Sequence, residues 1–249
     1  MLLEVSNLTV SYDRAVILND LSMHVDHGEL VSLVGPNAAG KTTLLRAITG
    51  LVAREREITR RSAGEKVVIK GNIRFSGIDI ENMPPHEIVK MGLIHAPERR
   101  RPFREMTVLE NLHAGGFLLD NKKDLEENLD NVYQLFPVLK KRSDQISGTL
   151  SGGEQQMLAV GRALMFKPKL LCIDEPSTGL SPMLRSEVFS KINQISKQGI
   201  TMLLIEQEVH AVFKMATRNY ILSSGRIIAE GQGDVLLKDE LVRKTYLGL

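Results

Sequence analysis

Hydrophobic and polar residues alternate in residues 2–10 and 15–25. A period of two predicts strands, here on either side of a turn at 11–13. Apolar runs and hairpin residues predict further strands at 29–34, 67–75, 93–96, 169–174, 200–205, 219–223 and 226–230. Helical spacing predicts helices at about 41–50, from Pro84 onward, at 182–197 and at 207–216. The charged segment 54–66 is predicted to be a solvated hairpin or loop at a sheet edge.

The stretch from about 107 to 166 is predicted to be almost wholly helical. Thr107 with Glu110, and Ser151 with Glu154, have the spacing of capping boxes at helix starts. Strands alternate with helices on both sides of this stretch. This order favours a mainly parallel sheet covered on both faces and interrupted by an inserted helical block, which is an α/β fold.

Composition narrows the class of protein. The 249 residues are 43% hydrophobic and 25% charged, with a formal net charge of +2, which is too small to indicate a nucleic-acid partner. Cys172 is the only cysteine, so no internal disulfide framework is possible. The N-terminus lacks a signal-peptide pattern, and no apolar run approaches the ~18 residues that a membrane span needs. We therefore expect a cytoplasmic protein that reaches any membrane process through a spanning partner.

The segment GPNAAGKTT at 35–43 matches the phosphate-loop pattern GxxxxGK[ST]. Glycines let the backbone curl so that successive N–H groups face phosphate oxygens, and the following helix presents its positive end to the same anion. Lys41 suits the β- and γ-phosphates of ATP, and the Thr42 hydroxyl suits Mg²⁺. The predicted nucleotide-binding residues of this segment are Gly35, Pro36, Asn37, Ala38, Ala39, Gly40, Lys41, Thr42 and Thr43.

An apolar strand, LLCIDEP at 170–176, ends in two adjacent carboxylates, Asp174 and Glu175. Successive strand side chains face opposite sides, so one carboxylate can face a metal ion and the other the attacking water. LSGGEQQ at 150–156 places Ser151, Gly152 and Gly153 at a capped helix start, which is a second anion site. Two anion sites indicate either two nucleotides on one chain or nucleotides shared by two chains.

These three motifs, in this order and spacing, resemble those of the ABC ATPase family, and the resemblance covers essentially the whole chain. It implies a P-loop NTPase fold with an N-terminal antiparallel β subdomain, a nucleotide-binding core at 1–97 and 167–249, and a helical subdomain at about 98–166. It also implies a head-to-tail dimer in which Lys41 and Thr42 face Ser151 and Gly153 of a second ATPase chain. Glu175 resembles the general base, Asp174 the metal-side carboxylate and Tyr12 the adenine-stacking aromatic.

Finer segments, among them PERRRPFREMTVLENL at 97–112 and LLIEQEVHAVF at 203–213, resemble the second ATPase of branched-chain amino-acid importers. That branch implies membrane-spanning permease subunits as partners and a position on the inner face of the membrane. Three residues depart from the wider family. Ala38 replaces a loop glycine, Glu98 replaces a glutamine that senses the γ-phosphate and metal, and Gln207 replaces a switch histidine in the catalytic set.

The arginines that follow Glu98 have two readings. Arg99, Arg100, Arg101 and Arg104 form either a basic lip that contacts the permease or a solvated loop. On the first reading, charge reversal at Arg100 and Arg101 uncouples transport and spares basal ATPase activity. The function predicted is ATP hydrolysis that powers amino-acid import. The alternatives are another cargo such as urea or lipopolysaccharide, a non-transport ABC ATPase, or an ATP-binding regulator with little hydrolysis.

Overall fold

The computed structural model describes residues 1–60, 66–239 and 242. The strands are β1 (Leu3–Tyr12), β2 (Ala15–Val25), β3 (Leu30–Val34), β4 (Val67–Phe75), β5 (Ile78–Asp79), β6 (Leu93–Ala96), β7 (Leu170–Asp174), β8 (Thr201–Glu206), β9 (Arg218–Ser223) and β10 (Arg226–Gly231). The helices are α1 (Lys41–Ile48), α2 (Leu51–Arg60), α3 (Pro85–Lys90), α4 (Val108–Gly115), α5 (Lys122–Leu135), α6 (Pro137–Lys141), α7 (Gly152–Leu164), α8 (Pro182–Ser196), α9 (Val209–Phe213) and α10 (Gly233–Leu236). Across the described residues, no helix is long and apolar enough to span a membrane.

The chain divides into two compact units, and the first comprises the described parts of residues 1–91 and 201–249. One of its sheets is antiparallel, in the order β2-β1-β4-β5. In its other strands, β3 pairs in parallel with both β8 and β9, and β10 closes an antiparallel hairpin with β9. All five residues of β3 are buried, as expected for a strand with neighbours on both edges. The segment that follows β3 therefore starts from a fixed backbone.

The second unit comprises residues 92–200. Its strands β6 and β7 run parallel, with Leu93 opposite Leu170 and Ala96 opposite Ile173. Helix α7 is buried along most of its length, and α4, α5, α6 and α8 all contact it. Both predicted capping boxes are present, at the starts of α4 and α7. The mainly parallel α/β pattern is thus confirmed, whereas the boundaries of a helical subdomain at about 98–166 stay a prediction.

The prediction of a hairpin or loop at 54–66 is wrong for the part that the structure describes. Residues 51–60 form helix α2, and residues 61–65 lie outside the described residues. Arginine and glutamate are good helix formers, so a charge-rich segment is compatible with a helix once one face is buried. Val52 and Ala53 supply that buried face, and Glu55 accepts a 2.9 Å hydrogen bond from Arg46 of α1.

Two smaller predictions also need correction. β1 continues through Tyr12, which pairs with Ala15, so the turn lies at 13–14 rather than at 11–13. Asp13 adopts a φ of +50° there, and aspartate tolerates this left-handed conformation better than most residues. The last predicted helix, at 207–216, is shortened to α9 at Val209–Phe213.

Candidate functional site

The phosphate-loop motif joins β3 of the first unit to α1. Gly35 follows β3 directly, and its missing side chain would collide with the carbonyl oxygen of Leu222. Gly40 caps α1 with a φ of +108°, and a Cβ atom there would lie 2.7 Å from Leu18 Cδ2. Both positions require glycine, because it has no Cβ atom and enters left-handed conformations at no steric cost. The two glycines thus account for the tight path of the loop.

Lys41 is the first residue of α1 and is only 4% exposed. Its Nζ donates hydrogen bonds to the carbonyl oxygens of Gly35 at 2.7 Å and Pro36 at 3.0 Å. These two bonds hold the ammonium group against the phosphate loop. A buried lysine needs such partners, since an unpaired buried charge costs several kcal/mol.

The outer part of the loop faces solvent. Pro36, Asn37 and Ala38 are exposed, and the Thr42 side chain is exposed at the first turn of α1. Ala38 has a φ of +63°, in the left-handed region that costs a residue with a Cβ atom about 1–2 kcal/mol. Ala38, which replaces a loop glycine, therefore has a backbone conformation that favours glycine.

Tyr12 ends β1 and is half-buried. Its hydroxyl donates to Glu55 Oε2 at 3.1 Å, and the same carboxylate oxygen forms an ion pair with Arg46 at 2.9 Å. The aromatic ring is thus tied to two helices of the first unit, α1 and α2. Its predicted stacking on adenine stays a prediction.

Gln207 follows β8 and is exposed. Its backbone N–H donates at 3.0 Å to the side chain of Glu206, the last residue of β8, which is 1% exposed. Glu206 lies opposite Val34, the residue that precedes the phosphate loop. Glu206 could not be singled out from the sequence, because only strand pairing sets this carboxylate opposite the residue before the phosphate loop.

In the second unit, β7 leads to the two adjacent carboxylates. The strand ends at Asp174, which is buried, and Glu175 has a φ of +43°. The predicted alternation of side chains along a strand therefore does not apply to this pair, because the backbone turns between them. Thr178 Oγ1 donates to Glu175 Oε2 at 3.2 Å and so orients the carboxylate. Burial, together with the charge of Asp174, raises the pKa of the Cys172 thiol on β7, which suits a packed and unreactive cysteine.

Ser151 caps α7, where the second anion site is predicted. Its Oγ accepts from the Glu154 backbone N–H at 3.3 Å, and its own N–H donates to Glu154 Oε2 at 2.9 Å. Glu154 also pairs with Arg142 at 2.7 Å. Burial alone would raise the pKa of Glu154, but the hydrogen bonds from Ser151 and the charge of Arg142 outweigh it and lower the pKa. Ser151 is exposed and Gly153 is buried, so the turn presents a hydroxyl at a fixed helix end.

The segment after β6 carries Glu98 and the arginines. Arg99 pairs with Glu98 at 3.5 Å, and three successive residues, Arg99 to Arg101, have positive φ values of 59°, 64° and 42°. Arg99 and Arg101 are exposed, as either reading of this segment requires. Arg100 is different, because its guanidinium donates to the carbonyl oxygens of Thr178 and Gly179. Arg100 is therefore bound within the second unit, which neither reading of this segment predicted.

Asn111 is a residue that sequence reasoning missed. It is fully buried in α4, its Oδ1 accepts from Phe103 N at 2.8 Å, and its Nδ2 donates to the Thr107 carbonyl at 2.9 Å and to Ser147 Oγ at 3.1 Å. It thereby holds the loop at 103–107 in place. The only signal in the sequence was a polar residue on an otherwise apolar helix face.

The comparisons with known proteins agree with this geometry. Residues 18–178 match the family model described as ABC transporter. The chain is 41% identical over 247 residues to the high-affinity branched-chain amino acid transport ATP-binding protein BraG of Pseudomonas aeruginosa, covering 99% of this chain and 100% of that protein. It is 32% identical over 252 residues to the lipopolysaccharide export system ATP-binding protein LptB of Haemophilus influenzae, covering 99% and 97%.

A solved structure gives the same result for the fold. An ATP-binding cassette of an ABC transporter, crystallised in its ADP conformation, superposes with a TM-score of 0.82 at 29% identity and covers 100% of this chain and 99% of that chain. The predicted P-loop α/β fold, ATP binding and ATPase class are confirmed. The chain belongs to the ABC transporter family, as one of its ATP-binding cassettes.

Proposed function

We propose that the chain is the ATP-hydrolysing subunit of an importer for branched-chain amino acids. The observation that carries the proposal is the 41% identity to BraG, which runs over the full length of that protein and 99% of this chain. The 32% identity to LptB makes lipopolysaccharide the alternative cargo with a specific observation behind it.

The phosphate loop is proposed to cradle the ATP phosphates. Gly35 and Gly40 have no side chains, which lets the loop backbone turn tightly. The start of α1 supplies a positive helix end. Lys41, already held over the loop, adds a charge for the β- and γ-phosphates. Tyr12 is proposed as the adenine platform, since its hydroxyl bond to Glu55 limits the motion of its ring.

Mg²⁺ fits the oxygen donors that the chain offers. Magnesium prefers a few hard oxygen ligands and keeps waters and substrate phosphates as the others. Within the described residues, no group of three or more His, Cys, Asp or Glu side chains is placed to hold a metal ion alone. Thr42 and Asp174 are proposed as its ligands, with Glu98 on the metal side. When bound, the ion would neutralise charge on the β- and γ-phosphates.

Glu175 is proposed as the general base. Its carboxylate would accept a proton from water while the water oxygen attacks the γ-phosphorus and ADP leaves. The Thr178 hydroxyl donates to one carboxylate oxygen and so orients the carboxylate. Gln207 is proposed to contact the γ-phosphate in place of a histidine. A neutral amide donates a hydrogen bond but does not take up or release a proton near neutral pH, so the proton transfer rests on Glu175.

A second ATPase chain is proposed to complete each nucleotide site. Ser151, Gly152 and Gly153 would present the hydroxyl and backbone N–H groups of α7 to ATP held on the phosphate loop of that other chain. The positive helix end and the exposed Ser151 hydroxyl suit a phosphate there. Two chains would then be arranged head to tail, each with a nucleotide-binding core at 1–97 and 167–249 and a helical subdomain at about 98–166.

An exposed apolar patch supports docking onto a permease. Phe103, Met106 and Ile146 are 50%, 42% and 42% exposed. They are neighbours, because Met106 N–H donates to the Phe103 carbonyl and Thr107 pairs with Ile146. The exposed Arg104 adds positive charge. We propose this patch as the contact with the membrane-spanning subunits, and the cytoplasmic, inner face of the membrane as the position of the chain.

Transport-coupled hydrolysis tests the cargo. The chain would be co-purified with its membrane subunits, reconstituted in liposomes with the cognate binding protein, and assayed for phosphate release. We expect leucine, isoleucine or valine to stimulate hydrolysis several-fold, whereas urea or lipopolysaccharide should not. The matched control is the same complex with Glu175→Gln, which should release no phosphate with any solute. Stimulation by lipopolysaccharide alone would assign the chain to the rival cargo.

A further inference from the structure

Arg100 reaches across the second unit to the segment that follows Glu175. Its Nη2 donates to the carbonyl oxygen of Thr178 at 3.1 Å and to that of Gly179 at 3.4 Å. Both acceptors are backbone groups of one turn, in which Leu180 N–H donates to the Ser177 carbonyl. Both bonds come from one nitrogen, whose two N–H bonds are fixed in the guanidinium plane, so they fix the turn in direction as well as in distance.

The same guanidinium packs on the start of α7. A Cβ atom on Gly152 would lie 3.4 Å from Arg100 Cζ and Nη1, which is van der Waals contact. One on Gly179 would lie 3.5 Å from Nη2. Arg100 therefore lies between the turn after Glu175 and the residue next to Ser151.

From this turn, a short path leads to the Glu175 carboxylate. Thr178 Oγ1 donates to Glu175 Oε2 at 3.2 Å, and Thr178 N–H donates to the Glu175 carbonyl at 3.2 Å. Moving the Thr178 backbone therefore moves the hydroxyl that orients the carboxylate. Arg100 holds that backbone at its carbonyl oxygen.

The arrangement is costly for stability alone. A cation beside a helix N-terminus is unfavourable, because that end of the helix carries a partial positive charge. Arg100 Nε is buried without a hydrogen-bond partner among the described residues. Its φ of +64° adds backbone strain. Such features persist where a function depends on them.

We propose that Arg100 is a positioning residue that clamps the turn at 177–180 against the start of α7 and thereby aligns the Glu175 carboxylate. This rests on the proposed function, in which Glu175 is the general base and Ser151 meets the ATP of a second chain. The Ser151 turn, which would meet that ATP, and the turn that orients the base then both contact one side chain. Charge reversal at Arg100 should therefore lower basal ATPase activity, contrary to the expectation for a docking lip.

Hydrogen exchange tests the clamp without any need for activity. The purified full-length chain would be compared with Arg100→Ala and with Arg101→Ala, a neighbouring exposed arginine that also has a positive φ. We expect the amides of residues 178 and 180 to exchange at least about fivefold faster in Arg100→Ala, because their turn loses its anchor. Residues 35–43 and the Arg101→Ala variant should match the wild type. Unchanged exchange at 178 and 180 would overturn the clamp.

Steady-state phosphate release then tests the alignment of the base. We expect Arg100→Ala to lower kcat about tenfold and to leave the KM for ATP within about twofold. Arg100→Lys keeps the charge but loses the fixed, planar orientation of the donor N–H bonds, and should stay at least about threefold below the wild type. Thr178→Val removes the hydroxyl, so Arg100→Ala should have little further effect in that background. Full recovery with lysine, or multiplicative losses in the double variant, would refute positioning through Thr178.

The two assays separate the proposals. If exchange at 178 and 180 rises in Arg100→Ala while the wild-type chain and its reconstituted complex hydrolyse no ATP, the ATPase role of this chain fails and the clamp stands. If the wild type hydrolyses ATP and Arg100→Ala matches its kcat, the positioning role of Arg100 fails and the proposed function stands.

Discussion

The phosphate loop of the first unit and the loop after Glu98 in the second unit both contain residues with Cβ atoms at positive φ, but different forces hold them. In the phosphate loop, Lys41 binds carbonyl groups only five and six residues away. The contacts from further along the chain are with backbone, namely the Gly225 N–H that donates to the Ala39 carbonyl at 2.9 Å and the Leu222 carbonyl against Gly35. The loop after Glu98 is held by partners far along the chain. Arg100 binds carbonyl groups 78 and 79 residues away, and Ser147 Oγ donates to the Phe103 carbonyl from 44 residues away.

This difference separates binding from chemistry. A loop that is packed against the backbone of neighbouring segments and bonded by its own lysine keeps its shape, which suits a permanent nucleotide cradle. A loop that depends on distant partners changes when those partners move, which suits a step that must respond to a second chain. The proposed base, Glu175, belongs to the second kind, since its carboxylate is oriented by Thr178 and the turn of Thr178 by Arg100.

The largest effect is expected on ATP hydrolysis in a Glu175 variant, and it separates hydrolysis from ATP binding. Glu175→Gln removes the proton acceptor and leaves the phosphate loop untouched, so ATP hydrolysis should fall at least about 100-fold. ATP affinity should stay within about threefold of the wild type, as measured by equilibrium binding of a fluorescent ATP analogue. Glu187→Gln, at an exposed carboxylate on α8, is the control and should retain full turnover. Retained hydrolysis in Glu175→Gln would remove Glu175 as the base.

A loss of folding stability, intermediate in size, should appear in acid and should come from a histidine of the second unit. Burial, with a smaller contribution from the charge of Arg101, lowers the pKa of His95 on β6 from 6.5 to about 4. Between these values the unfolded chain binds a proton that the folded chain does not. Stability is therefore unaffected above pH 6.5 and falls as the pH drops toward 4, by about 2 kcal/mol from pH 7 to pH 5 for this residue.

Urea unfolding of His95→Asn at pH 7 and pH 5 checks this. The variant should lose about 2 kcal/mol less than the wild type over that interval. His86→Asn, which changes an exposed histidine, should follow the wild type. An equal pH dependence in wild type and His95→Asn would show that His95 does not titrate in this window.

The smallest expected effect lies in the phosphate loop. Ala38→Gly relieves a φ of +63°, and after the extra entropy of glycine in the unfolded chain the net gain should be about 0.5–1 kcal/mol. Ala39, the next residue, is 3% exposed and has no positive φ, so Ala39→Gly should destabilise the chain instead. Urea unfolding of both variants measures the difference. Destabilisation in both would show that Ala38 is not strained.

Sequence reasoning succeeded where geometry follows from near neighbours. The strands at 93–96 and 170–174, both capping boxes and the turn at Ser224-Gly225 depend on a few adjacent residues. It failed at 54–60, because charged residues are compatible with a helix or with a loop, and burial of Val52 and Ala53 decided between them. It also missed Asn111, because its partners at 103, 107 and 147 come together only in the folded chain.

The sequence by itself determined the nucleotide-binding motif, the order of strands and helices, and the family, since each rests on residue type and short spacing. Tertiary structure decided what holds the site residues of the second unit. Arg100 lies against Gly152 and binds the turn after Glu175, which leaves its strand at a positive φ. These contacts join segments that are up to 79 residues apart in the chain. No local pattern encodes such contacts, because they form only when packing brings these segments together.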